Sequence, residues 1–161
     1  MEKFSGKNKR AAFNSYLGMA ENDYLFAKGG METCRSIGIF NSVASTAAQS
    51  CEKYLKAILN EKFLDDSSVI PLLKSHNLRS IFHTICEKYP DWDVSSMEIK
   101  WLGDFYFDAR YPGDDFFCVE EEDAEKCIEI LECVRDQARQ ILAAKEILQD
   151  WEVEELKDLL D

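Results

Sequence analysis

Two histidines, His76 and His83, are the only side chains of this chain that ordinarily change charge between pH 5 and 8. Arg79 stands four residues before His83, so on a helix the two share one face. A histidine that moves a proton and an arginine that steadies a pentavalent phosphate would suffice for phosphodiester cleavage. A second group is Arg110-Tyr111-Pro112, where the guanidinium can grip a phosphate with two parallel hydrogen bonds. If a pocket exists, it is expected where the central helix faces residues 110–112. Gln49, Lys53, Lys56, His76, Arg79, Arg110 and Tyr111 would line it. Each has a plainer role. His76 can cap or pack locally, Arg110 can pair with Glu52 or Asp108, and Glu52, Lys53 and Lys56 can be structural.

Other chemistries find less support. Gly29-Gly30 lacks the lysine, serine and strand context of a phosphate loop. Two histidines on one short segment support neither a Ser-His-Asp nor a Cys-His arrangement, and no Glu-x-x-His pair suggests a di-metal bundle site. The six cysteines form no CxxC pair, and four of them fall inside helical patterns. They read as small buried hydrophobes in a reducing compartment. Neither a metal site nor a cofactor is expected.

The elements that must position these groups are helical. The chain has 161 residues with only 3 prolines and 7 glycines, and no run alternates long enough to make a convincing strand. All-α is the expected class, folded as one domain over residues 1–161 with a core at about 11–149. The organising stretch is 39–64, where Phe40, Val43, Ala47, Cys51, Tyr54, Leu55 and Ile58 recur as one stripe. Small residues crowd its first half, which suits a central helix approached from several sides. Before it, a helix is predicted over 11–28, ended by Gly29-Gly30. After it, a loop is predicted over 65–71. A third helix follows, capped by Ser75 or Asn77. A fourth over 97–109 is capped by Ser95 or Ser96, and a long acid-led helix runs over 120–149. The tail at 150–161 sets Trp151, Val153, Leu156, Leu159 and Leu160 among acids. It is expected to fold back on the bundle or to dock on a partner.

Net charge is −12, and residues 113–161 carry all of it: 5 basic side chains against 17 acidic. Such a surface repels phosphate backbones, so general nucleic-acid binding is not expected. The charged start and the lack of a long apolar run predict no signal peptide, no membrane span and a cytoplasmic setting.

Read together, MAENDYLFAK at 19–28, AAQSCEKYLKAIL at 47–59, SHNLRSIF at 75–82 and DFYFDARYPG at 104–113, followed by an acid-led helix, resemble the HEPN (higher eukaryotes and prokaryotes nucleotide-binding) family. The resemblance covers about 13–145. It implies an up-and-down bundle of four to five helices, frequently a homodimer, in the cytoplasm. It also implies a setting beside a small nucleotidyltransferase or within a toxin–antitoxin system. Many members are metal-independent RNases. They use an arginine and, after four to six intervening residues, a histidine near the C-terminal helix. Here Arg79 and His83 are separated by three residues and lie on the third helix, and the C-terminal region has no histidine. The Arg110-Tyr111-Pro112 motif is similar to one in the nucleotide-binding subgroup. The expected function is a non-catalytic module that dimerises and docks on a partner. A site for a nucleotide or phospho-ligand near Arg110 is the alternative, and a divergent RNase the second.

Overall fold

In the computed structural model, residues 14–63 and 65–143 are described. They contain helices and no strand. The first is α1, Tyr16–Ile37, capped by the Ser15 hydroxyl, which accepts from the Gly18 N–H at 2.9 Å. It does not stop at Gly29-Gly30. It runs on to Gly38, whose left-handed backbone (φ 70°) ends it. The reason is tertiary. A Cβ on Gly30 would lie 3.3 Å from Val43 Cγ2, so the next helix packs tightly against the glycine. That packing outweighs the roughly 1 kcal/mol that a glycine costs a helix interior.

Helix α2, Asn41–Lys62, is the centre of the molecule. It packs against α1, α6, α5, α4 and α3. Its small residues work as expected: Ala44, Ala47 and Ala48 are fully buried, as are Ala20 and Ala27 on α1. The two backbones lie close enough for the Ser50 hydroxyl to donate to the Ala20 carbonyl at 2.8 Å. Tyr54, Leu55, Ile58 and Leu59 fill the other half of the helix.

The predicted loop at 65–71 holds more structure than expected. A 3-10 turn at Ser67–Val69 leads into a five-residue helix α3, Ile70–Lys74, with Pro71 in its first turn. Proline is tolerated there because that N–H has no helical partner anyway. Helix α4, Leu78–Cys86, is capped by Asn77, whose Oδ1 accepts from the Ser80 N–H at 3.0 Å. It turns Leu78, Ile81, Phe82 and Ile85 inward. Helix α5, Ser96–Asp108, opens on a reciprocal cap between Ser95 and Glu98. A Cβ on Gly103 would sit 3.4 Å from Leu78 Cβ, which marks where α5 and α4 meet. Helix α6, Glu121–Leu142, follows. The described residues thus hold six helices rather than four or five; the extra one is α3.

Helix α1 runs antiparallel to α6. Arg35 reaches Glu121 and Glu125 at one end, Lys28 meets Glu132 in the middle, and Arg139 meets Glu21 at the other. Residues 1–13, the expected end of the last helix at 143–149 and the tail at 150–161 lie outside this description, apart from Ala143, which closes α6 with φ 49°.

Candidate functional site

The expected pocket residues fall into two groups on different sides of α2. Lys53 faces α1, where it is bound to Asp23. Gln49 turns its amide back to the Ser45 carbonyl at 3.2 Å, within its own helix. Neither is brought to the 110–112 segment by a contact of its own. Lys56, His76, Arg110 and Tyr111 do form a connected series. Lys56 Nζ donates to Glu52 Oε1 at 2.7 Å, and both side chains are nearly sealed from solvent. This i,i+4 pair is therefore interior. His76 Nδ1 lies 3.1 Å from Glu52 Oε2 and 3.2 Å from Oε1. A carboxylate only accepts, so Nδ1 carries the proton. The imidazole stacks on Tyr106 at 5.0 Å between centroids, 23° from parallel. Arg110 lies over the opposite end of this series, 5.5 Å from the Tyr106 ring and 5.4 Å from the Tyr111 ring. It is held by aromatic faces, not by Glu52 or Asp108.

The segment that carries Arg110 is fixed by one side chain that sequence reasoning missed. Asn41 opens α2 and is buried. Its amide donates to the carbonyls of Ala109 at 3.1 Å and Phe117 at 2.7 Å, and its oxygen accepts from the Val119 N–H at 3.1 Å. Three of its four bonding positions are used, which ties both ends of the 110–118 loop to the central helix.

An open cleft of about 530 Å³ lies between the start of α4 and the face of α5. His76 and Arg79 line one wall, and Lys100, Asp104 and Phe107 the other. The α5 residues were also missed, although 100, 103, 104 and 107 have the spacing of one helical face. Lys100 donates to Asp104 at 3.1 Å. Arg79 makes no ion pair among the described residues. His83 is exposed and lies outside the cleft lining. Arg79 and His83 are therefore on one helix without a site that both of them line.

The two arginines of the C-terminal helix are committed elsewhere. Glu21, on α1, is 1% exposed. It accepts from Arg135 at 3.1 and 3.3 Å and from Arg139 at 2.7 Å. Arg135 also lies over the Tyr24 ring at 4.6 Å. Burial, together with the Glu21 charge, pushes the Tyr54 hydroxyl far up. Burial likewise pushes the Cys51 and Cys127 thiols well above the ordinary cysteine value, so neither presents a thiolate. Among the described residues, no group of three or more His, Cys, Asp or Glu is placed to hold a metal ion, and no helix is long and apolar enough to cross a membrane.

Searches of curated proteins and of solved structures return no match. A family model described as HEPN domain does match, over residues 15–141, a span that takes in the six helices to within one residue of the end of α6, and with them the α2 centre and the cleft. With the all-helical fold in agreement, this chain belongs to the HEPN domain family.

Proposed function

We propose that this HEPN chain is a non-catalytic module that pairs with a second copy of itself and presents the pair to a protein partner. The proposed setting is a small nucleotidyltransferase or toxin–antitoxin system. The observation that carries the proposal is a stripe along α1. Met19, Phe26 and Ile37 are 42%, 70% and 62% exposed. Steps of seven and eleven residues keep them within about 20° of one line on the helix. Gly30 lies on that line and Thr33 within about 40° of it, and the carboxylate of Asp23, about as far off on the other side, is bound to Lys53. Beside the stripe lies a mostly apolar cleft of about 480 Å³, lined in part by Leu25, Phe26, Gly30 and Val43. A Cβ on Gly29 would meet nothing within 4 Å, so the backbone there is open to close approach.

A chain of charge −12 repels its own copy, most strongly where residues 113–161 carry the excess of acids. An uncharged apolar stripe is where a copy can approach, and a two-fold pairing uses the same patch twice. The non-catalytic part of the reading rests on how the reactive groups are used. His76 is held by Glu52 and Tyr106, Arg135 and Arg139 by Glu21, and His83 stands apart from the cleft.

Light scattering at micromolar concentration should give twice the 18.6 kDa chain mass. Phe26→Asp should give a single-chain mass with its helical signal unchanged. A wild-type protein of single-chain mass overturns the pairing. Cleavage of single-stranded RNA that is lost in His83→Ala overturns the non-catalytic reading.

A further inference from the structure

We propose that the α4–α5 cleft binds a small phosphate monoester, gripped by Arg79, His76 and Lys100, with the organic part of the molecule resting on Phe107. The proposal stands apart from the pairing of copies, because the stripe on α1 contributes no residue to this cleft.

Charge is the first argument. Among the described residues, most cations meet a carboxylate: Lys28, Arg35, Lys53, Lys56, Lys62, Lys100, Lys126, Arg135 and Arg139 all do. Arg79 lines a cleft and has no carboxylate. Arg110, stacked on the ring that also stacks on His76, is held only by aromatic faces. Of the cleft's own side chains, Lys100 and Asp104 cancel in charge, which leaves Arg79 uncompensated, while the Lys100 ammonium, with three donors, can bind Asp104 and a phosphate oxygen together. A planar guanidinium with a free fork suits two oxygens of one phosphate.

Rigidity is the second. His76 has one ring nitrogen bound to Glu52 and one face against Tyr106, so its ring plane is set and Nε2 is its remaining polar atom, which accepts from a phosphate hydroxyl when the ring is neutral and donates to a phosphate oxygen when the ring is protonated. Glu52 is in turn held by Lys56 inside the protein, and the two charges cancel. The cleft therefore feels an oriented imidazole and no net negative charge behind it. A group fixed before the ligand arrives loses little freedom on binding.

Size and surroundings give the ligand class. About 530 Å³ is the volume of an ordinary small-molecule site. Phe107 is 54% exposed at the edge of the cleft and offers an apolar face. A polyphosphate chain or an RNA strand would carry further negative charge past Asp104, whereas a single phosphate needs only the one unpaired guanidinium.

The test is a titration of the full chain with phenyl phosphate and with inorganic phosphate, followed by amide and side-chain NMR shifts. Saturable shifts centred on residues 76, 79, 100, 103 and 107 are expected with both. Arg79→Ala should weaken both ligands at least ten-fold, and Arg79→Lys should recover part of the loss. Phe107→Ala should weaken phenyl phosphate several-fold and leave inorganic phosphate unchanged. Arg79 is exposed and unpaired, so its variants should fold, and an unchanged melting temperature checks this. No saturable shift, or saturation that Arg79→Ala leaves intact, overturns the site.

Discussion

The α1–α6 face and the α4–α5 edge use arginine in opposite ways. On the first, Arg135 and Arg139 converge on Glu21, which is 1% exposed, and the charges complete one another inside the bundle. On the second, Arg79 lines an open cleft and pairs with no carboxylate, the cleft's Asp104 being bound to Lys100. The same side chain is a structural tie in one place and an unused valence in the other. The residue type does not decide which; the element that faces it does.

The largest expected effect breaks the first half of that contrast. Glu21→Ala leaves two partly buried guanidinium groups without their shared counter-charge and should cost about 4 kcal/mol. Urea denaturation with an unchanged slope would read this as lost stability. Arg79→Ala, measured in the same way, should stay within about 0.5 kcal/mol of wild type. Equal losses from the two would erase the contrast.

A smaller effect is expected between the two regions. Asn41→Ala strands the Ala109 and Phe117 carbonyls and the Val119 N–H, and should cost about 2–3 kcal/mol. Limited proteolysis should then cut within 110–118 well before the helices. Uniform cutting along the chain would show that Asn41 does not control this loop.

The smallest effect sharpens the contrast within the paired face itself. Lys28 meets Glu132 at an exposed position, with Lys28 54% accessible. Lys28→Ala should cost only about 0.5 kcal/mol, and added salt should shrink that further. A loss as large as that of Glu21→Ala would mean that the whole α1–α6 face acts as one unit.

The helices were legible because their signals are local. The stripe at 39–64, the Asn77 and Ser95 caps and the break at 110–113 all follow from neighbours in sequence, and the structure has them. Of the two errors, one is decided by a distant residue and one by position within a turn. Gly29-Gly30 looks like a stop until Val43 is seen against Gly30. Pro71 looks like a break, but within a first turn it begins α3.

The candidate site was legible in pieces. His76 and Arg110 were expected together, and Tyr106 between them is what joins them. Lys53 was placed on the wrong side because its partner, Asp23, belongs to another helix. Lys100, Asp104 and Phe107 carry no local motif, and their shared face gains a meaning only from α4 across the cleft. Glu21 gave no local sign that it would be buried; its arginines are more than a hundred residues away.

The Asn41 clamp has a consequence for how this protein can diverge. Both ends of the 110–118 loop are fastened to the first turn of α2, so the loop's interior is mechanically separate from the helices it joins. Doubling the length of such a closed segment costs only about 0.6 kcal/mol in chain entropy. Insertions between positions 111 and 116 can therefore rewrite the surface beside Tyr106 while the bundle stays as it is. The clamp makes this loop a socket, in which evolution or an engineer can exchange specificity without redesigning the protein that holds it.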